Sequence, residues 1–387
     1  MNALSSSTKT RVLILGGGAM GSALAAALSQ RPGWAERISV LERDPTYARA
    51  SSALSAASIR QQFSTPLNIA LSQYGLQTLR AQPQAQLQER GYLYLATPAG
   101  RARQEALHSL QRSQGASIDL LKPTQLRERW PWLATQDLSL GSWGRSGEGW
   151  FDGWGLLQGL RSQAFQAGVR YLQGEAVALR TEPGSGALTG VESTLGFLQA
   201  DVYVLACGAW SGRLAATAGL AVPVSAKRRS VYGFRSPEVA AGCPLVIDPS
   251  GLWFRPEGDQ FICGGPPLGP DEDDLPLEPE PDLFEQKLWP ALAERVPGFE
   301  SLRPTRAWAG YYEMNSFDHN GLVGALDTCP NLLLACGFSG HGLQHAAGVG
   351  RGLAEWLELG RYQTLDLSPL SANRIAANTP VVELNVI

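Results

Sequence analysis

Charged residues are scarce in this chain: they make up 17% of 387 residues, against roughly 25% in typical globular domains. The net charge is −3, and the longest basic run is Lys227–Arg229. Binding to nucleic acid needs a basic surface that neutralises phosphates, so nucleic acid is not an expected partner. The chain also lacks a stretch of about 18 apolar residues, which argues against an integral membrane segment.

Cysteine is equally sparse. The five cysteines form an odd set with no CxxC pair and no Cys/His spacing typical of zinc. Neither a disulfide framework nor a metal site is therefore predicted. The acidic, proline-rich stretch Pro266–Pro281 is interpreted as an exposed loop rather than as a metal site.

Met1–Thr10 is short and polar, without the features of a signal peptide, so we expect a cytoplasmic protein.

Glycine, in contrast, is abundant. The 43 glycines include two clusters, Gly16–Gly21 and Gly337–Gly352. Clustered glycines mark turns where the backbone approaches something closely. At roughly 150 residues per domain, the length fits two or three domains, and the two clusters lie near opposite ends of the chain.

The first cluster matches GxGxxG between an apolar strand and an Ala/Leu-rich helix. Gly16 permits the tight turn, Gly18 lets the backbone approach a pyrophosphate, and Gly21 lets the helix pack closely on the strand. The helix start then offers free N–H groups to phosphate. Glu42, at the end of the next strand, is placed to accept hydrogen bonds from a ribose. The pattern predicts a dinucleotide cofactor but does not separate FAD from NAD(P).

The second cluster, Gly337–Gly342, repeats the strand–glycine–helix arrangement. A helix start there would direct partial positive charge at a cofactor. Reduced flavin carries negative charge near its N1–C2=O edge, which such a helix stabilises. An NAD enzyme has no need of this second element, so FAD is favoured and an NAD-dependent dehydrogenase stays as an alternative.

On these residues, the chain resembles the D-amino-acid oxidase/sarcosine oxidase (DAO) superfamily of FAD enzymes over nearly its whole length. Ala206–Trp210 and Trp308–Gly310 add to the resemblance. Within the superfamily the chain is most similar to the FAD-dependent oxidoreductase domain-containing branch, which includes a mitochondrial complex I assembly factor. The segments shared with that branch are Ser58–Phe63, Glu148–Asp152, Trp308–Tyr312 and Thr364–Pro369.

The resemblance implies a mixed fold, α/β with α+β, in which a Rossmann-type FAD-binding domain is interleaved with an antiparallel-sheet substrate domain. The chain would cross between the two domains several times. The expected division is 10–89, 149–220 and 305–367 for the FAD-binding domain, 90–148 and 221–304 for the substrate domain, and 368–387 for a tail.

It also implies which residues hold the cofactor, with the adenosine at the first glycine turn and the flavin ring at the second. The expected FAD-binding residues are Gly16, Gly18, Ala19, Met20, Gly21, Glu42, Arg43, Ser51, Ser52, Ser58, Ile59, Arg60, Val177, Cys207, Gly208, Trp210, Gly310, Gly337, Ser339, Gly340, His341, Gly342, Leu343 and Gln344.

The chain departs from its superfamily at several positions. Where sarcosine-type oxidases attach FAD to a cysteine, this chain has Gly310, so the resemblance implies non-covalent FAD. Gln344 replaces a lysine of those oxidases, and the strand Gln260–Gly264 lacks the lysine that speeds their reaction with oxygen. These differences favour a dehydrogenase over a fast oxidase. Tyr312 stands where an arginine binds the substrate carboxylate in amino-acid oxidases.

The chemistry implied is hydride transfer to flavin from a carbon next to nitrogen, followed by hydrolysis of the imine. The substrate would be a small secondary or tertiary amine or an amino acid, and the electron acceptor a quinone, an electron carrier or O2. A flavin-containing assembly or chaperone factor without turnover is the other alternative to an enzyme.

Five residues are candidates for a catalytic or substrate-binding role. Arg60 could lie over the flavin or hold an anionic substrate, and His341 could act as a base or merely order its loop. Arg255 could bind a carboxylate, as could Arg306, and Tyr312 could line the pocket. The basic run Lys227–Arg229 is interpreted as a solvated turn.

Overall fold

The computed structural model describes residues 10–385, so the expectation for Met1–Thr10 lies almost wholly outside the described residues. In the described part, no helix combines the length and the apolar character needed to traverse a bilayer. The helices are α1 Ala19–Ser29, α2 Ser51–Leu54, α3 Pro66–Arg80, α4 Arg101–Ser113, α5 Pro123–Arg129, α6 Gly153–Gln166, α7 Ser211–Ala216, α8 Trp289–Arg295 and α9 Gly342–Leu359.

The strands form two large sheets and two small ones. Their bounds are β1 Val12–Leu15, β2 Ile38–Glu42, β3 Ser58–Ile59, β4 Tyr92–Ala96, β5 Ile118–Leu121, β6 Leu140–Gly144, β7 Gly149–Trp150, β8 Arg170–Gln173, β9 Ala176–Thr181, β10 Leu188–Ser193, β11 Gly196–Leu198, β12 Val202–Leu205, β13 Val224–Arg235, β14 Leu245–Ile247, β15 Trp253–Glu257, β16 Gln260–Gly264, β17 Arg303–Asn315, β18 Leu322–Leu326 and β19 Cys329–Cys336.

The first large sheet has the order β18-β19-β12-β1-β2-β8. All its neighbouring strands run parallel except β18 and β19. Val12–Leu15 is buried along its whole length, as expected for a parallel strand covered on both faces. Helices α1, α6 and α9 cover one face, while the small sheet β9–β11 and α7 cover the other.

The second large sheet has eight strands in the order β17-β13-β16-β15-β14-β4-β6-β5. Its neighbours are antiparallel except β14 and β4. Along the chain, β4–β6 belong to this sheet, β8 and β12 to the first, β13–β17 again to the second, and β18–β19 to the first. The predicted fold class, a Rossmann-type domain interleaved with an antiparallel-sheet domain, is thereby confirmed.

One predicted domain boundary needs correction. The division at 304/305 falls inside β17, which pairs with β13 from Arg303 to Asn315 in the second sheet. Because β17 stays paired in the second sheet along its whole length, we propose that the substrate domain extends to residue 315. The other boundaries stay predictions.

Helices α1 and α9 pack directly against each other, and this contact joins two segments that are far apart in the sequence. Strands β1 and β19 flank β12 and run parallel to it, so both helices start at the same edge of the sheet. At Gly350 of α9 a side chain is excluded, because an added Cβ would lie 2.6 Å from the backbone carbon of Ala23 in α1. The contact therefore fixes the two glycine turns side by side.

We expect Gly350→Ala to destabilise the protein, because the methyl group would force α9 away from α1. Overpacking of this kind costs about 1–3 kcal/mol, which exceeds the gain of up to about 1 kcal/mol in helix propensity. Denaturant unfolding measures the effect. Gly269→Ala is the control, since a Cβ there meets no atom within 4 Å. A Gly350→Ala protein as stable as the control would contradict the proposed contact.

Candidate active site

A cavity of about 770 Å³ is lined by residues from both large sheets and from both glycine turns. Its volume lies within the range of about 300–1,000 Å³ common for small-molecule sites. From the first turn, Gly16, Gly18, Ala19 and Met20 reach the cavity. From the second, Ser339, Gly340, Gly342, Leu343 and Gln344 do so.

The first turn depends on glycine for steric reasons. Gly16 has φ +98°, and a Cβ there would lie 2.3 Å from the carbonyl oxygen of Ala206. Gly21 does not line the cavity; it packs against the turn, where a Cβ would lie 2.0 Å from the carbonyl oxygen of Gly16. At Gly18 the nearest atom to an added Cβ is Ser52 Oγ, at 3.4 Å, so the backbone faces open space where a pyrophosphate can approach.

Glu42 lines the cavity beside this turn. Its Oε2 accepts the Gly17 N–H at 2.8 Å and its Oε1 accepts the Asp44 N–H at 2.9 Å. These bonds fix the carboxylate and leave each oxygen with capacity to accept from a ribose hydroxyl.

Arg43, Cys207, Gly208 and Trp210 line the same end of the cavity. The Arg43 guanidinium lies over the Trp210 ring at 3.8 Å. The Cys207 thiol donates to the Leu15 carbonyl at 3.3 Å, and burial raises its pKa to about 12. The thiol thus stays protonated at neutral pH and is a poor nucleophile.

Two buried polar atoms test whether this end suits a dinucleotide. Tyr47 Oη and Ser51 Oγ belong to cavity-lining residues and have no hydrogen-bond partner among the described residues. Buried polar atoms in proteins are almost always paired, so these two indicate a polar ligand. Ser52, the neighbouring predicted residue, also lines the cavity and accepts the Ala19 N–H at 3.0 Å. The residues therefore fit the adenosine and pyrophosphate of FAD.

The second turn presents the start of α9 to the cavity. Gly342, Leu343 and Gln344 form the first turn of this helix, whose N–H groups have no partners within the helix. These groups carry the positive end of the helix dipole. Gly337 lies outside the cavity lining and donates its N–H to the Glu313 carboxylate at 3.0 Å. Ser339 Oγ accepts the Asn315 N–H at 3.0 Å, which ties the turn to β17.

Glu313 lines the cavity close to this helix start and was not predicted. Burial raises the pKa of its carboxyl to about 7, although hydrogen bonds from Gly337 and Phe338 lower it. A carboxyl with such a pKa can hold or release a proton near neutral pH. No short-range sequence signal distinguishes it from the other acidic residues on strands.

Arg60 also reaches the cavity and is only 4% exposed. Its backbone N–H donates to Gln344 Oε1 at 3.0 Å, which joins it to the start of α9. Its guanidinium lies over the Phe63 ring at 4.3 Å. Nη2 donates to the Asn385 carbonyl oxygen, whereas Nε has no partner among the described residues.

Tyr312, another catalytic candidate, also lines the cavity. The guanidinium of Arg229 lies over the Tyr312 ring, 5.3 Å from its centroid. The interpretation of Lys227–Arg229 as a solvated turn is wrong, because these residues lie within β13. Arg229 lines the cavity, and its two terminal nitrogens contact the Asp271 carboxylate at 2.8 Å each. Part of the acidic loop thus neutralises a cavity arginine.

Two catalytic candidates, His341 and Arg255, lie outside the cavity lining. His341 does not line the cavity; it is 1% exposed and packs against Phe63 and His345. Burial holds its pKa well below the usual range, which favours the neutral imidazole. Arg255 is buried over Trp150 and donates to the Ala56 carbonyl at 2.7 Å. Because neither residue lines the cavity, we propose that both act structurally rather than on a substrate.

Some of the remaining predicted cofactor residues line the cavity and others do not. Ser58 and Gly310 line the cavity. Ile59 is fully buried in the core without reaching it, and Val177 is 56% exposed on β9, beside the cavity-lining Ala176. Their side chains do not form part of the cavity wall. Besides Glu313, the cavity residues that sequence reasoning missed include Tyr47, Tyr92, Tyr94, Arg103, Gln104, Leu384 and Asn385.

Comparison with known proteins matches residues 11–356 to the family described as FAD dependent oxidoreductase. The chain is 38% identical to FAD-dependent oxidoreductase domain-containing protein 1 of Xenopus laevis, over 97% of this chain and 84% of that protein. Among solved structures it is similar to L-proline dehydrogenase from P. horikoshii (TM-score 0.84, 22% identity, 96% of this chain and 99% of that one). A glycine oxidase from Geobacillus kaustophilus gives a TM-score of 0.79 at 23% identity, covering 94% of this chain and 98% of that one. At these identities the two solved structures establish the fold alone.

The buried Glu148, which is hydrogen-bonded to the two residues after Arg60, is expected to make the stability of the protein depend on pH. Its oxygens accept the Gln61 N–H at 2.6 Å and the Gln62 Nε2–H at 2.9 Å. Burial nevertheless raises the pKa of the carboxyl to about 7. The folded protein therefore holds a proton that the unfolded chain releases above about pH 4.3.

Stability should consequently fall as pH rises from about 4.3 to about 7, because ionising the buried carboxyl favours unfolding. Glu148→Gln should remove this contribution, which is on the order of 3 kcal/mol. Urea unfolding of wild type and variant across that pH range measures it, with the exposed Glu128→Gln as the control. Parallel pH profiles for wild type and Glu148→Gln would refute the assignment.

Proposed function

Because the chain belongs to the family of FAD-dependent oxidoreductases, we propose that it is an enzyme that oxidises the C–N bond of a small amine or amino acid. FAD is its cofactor, as predicted, and the NAD-dependent alternative is wrong. The observation that carries the proposal is one cavity that both glycine turns line. Among similar solved structures, an L-proline dehydrogenase and a glycine oxidase support oxidation beside nitrogen.

Each end of the cavity has a separate task in this proposal. Gly16, Gly18 and Glu42 would hold the pyrophosphate and ribose, while Gly340–Gln344 would hold the flavin ring. FAD, when bound, supplies the acceptor for a hydride from the carbon next to nitrogen, and the imine then hydrolyses in water. The N–H groups in the first turn of α9 would stabilise the negative charge of the reduced flavin.

Aromatic side chains shape the part of the cavity near Arg60. Tyr92 and Tyr94 stack with their ring centroids 5.5 Å apart, and both line the cavity together with Tyr312. Such a wall excludes water and orients a substrate. Tyr94 Oη and Arg60 Nε are buried and have no partner among the described residues, so a polar substrate group would satisfy them.

Two features support non-covalent FAD and a dehydrogenase. Within residues 10–385, Cys207 is the one cysteine that lines the cavity, and its raised pKa makes covalent attachment unfavourable. The same lining includes five arginines but no lysine. Oxidases of the superfamily use a lysine to react with oxygen, so we propose a quinone or another electron carrier as acceptor.

The test is anaerobic reduction of the bound flavin by sarcosine, dimethylglycine, D-amino acids, proline analogues and small amines. We expect one class to bleach the flavin and a quinone to reoxidise it faster than O2. Arg60→Met should slow reduction by about tenfold, equivalent to about 1.4 kcal/mol in the barrier, while FAD content is retained. Arg80→Met, at a half-exposed surface pair, is the control.

Flavin that stays oxidised with every compound would contradict an amine-oxidising enzyme. That outcome would favour the alternative of a flavin-containing assembly factor without turnover.

A further inference from the structure

Residues 381–385, which we call the strap, cross the protein surface and end at the cavity. Glu383 is the main anchor and is only 1% exposed. Its Oε1 accepts the Ser64 N–H at 2.9 Å, the Ser64 hydroxyl at 2.8 Å and the Asn385 N–H at 2.9 Å. Its Oε2 accepts the Asn68 Nδ2–H at 2.9 Å. A carboxylate with so many donors holds its segment firmly in place.

Further bonds fix both ends of the strap. The Val381 N–H donates to Asp318 Oδ2 at 2.9 Å. At the other end, Asn385 Nδ2 donates to the Gln62 carbonyl at 2.9 Å, and Arg103 donates to the Leu384 carbonyl at 2.6 Å. Leu384 and Asn385 thereby become part of the cavity wall.

The strap meets the cavity at Arg60, whose Nη2 donates to the Asn385 carbonyl oxygen while Nε has no partner among the described residues. Nε and Nη2 lie on the same side of a guanidinium and can donate two parallel hydrogen bonds to one carboxylate. Arg80 shows this bidentate geometry in the same chain: its Nε and Nη2 donate to the two oxygens of Glu89 at 2.8 and 2.6 Å. At Arg60 the strap occupies half of the equivalent pair.

We propose that the strap determines substrate specificity by blocking bidentate binding of a carboxylate at Arg60. The substrate is then an amine without a free carboxylate at this end, secondary or tertiary, rather than an amino acid held by its carboxylate. Glu383 is a positioning residue, because it acts on the substrate through Asn385 and Arg60. The proposal rests on the proposed function in taking this end of the cavity as the substrate site.

The experiment measures propionate binding to the FAD-loaded protein by isothermal titration calorimetry. Glu383→Ala removes the main anchor and should free the Arg60 pair, so propionate should bind about tenfold more tightly than to wild type. The double variant Glu383→Ala/Arg60→Lys should lose this gain, since lysine cannot form the fork. Val382→Ala, at a side chain 46% exposed, is the matched control and should behave as wild type.

Glu383→Gln separates release of the strap from loss of negative charge. Glutamine keeps the oxygen that accepts three of the anchoring bonds, so it should bind propionate as wild type does. Equal tightening by Gln and Ala would assign the effect to charge and overturn the proposal, as would unchanged affinity in Glu383→Ala. Because binding is measured without turnover, a failure of amines to reduce the flavin would count against the proposed function alone.

Discussion

The close contact between α1 and α9 is the constraint on which the cofactor site depends. At Gly350 and Ala23 the backbones of the two helices come into close contact, although these residues are more than 300 positions apart in the chain. Because each helix follows a strand of one parallel sheet, the contact sets both helix starts at the same edge. The two turns can therefore act on a single extended ligand rather than on two separate ones.

The charges of the cavity follow from this arrangement. Two helix starts and several arginines direct positive charge inwards, which suits pyrophosphate and a reduced flavin. Asp271 balances part of this charge by pairing with Arg229, while the Asn385 carbonyl accepts a hydrogen bond from Arg60. Glu313 adds a carboxyl whose pKa is about 7 beside the second helix start.

Local patterns allowed much of the fold to be predicted, because Gly16–Gly21 and Gly337–Gly342 each adopt a structure that their own sequence requires. The family resemblance supplied the interleaving of the two sheets. Features that depend on contacts between residues far apart in the chain could not be predicted from local sequence patterns. The Asn385 carbonyl that engages Arg60 lies 325 positions further along the chain. His341 belongs to the second turn, yet only packing against Phe63 and His345 decides that its ring faces the core.

The most direct test of the central claim is a crystal structure of the purified protein with its cofactor. We expect one FAD per chain, with its ribose within hydrogen-bond distance of Glu42 and its flavin ring against Gly340–Gln344. An FAD held at the first turn alone, with its flavin ring away from the start of α9, would contradict it.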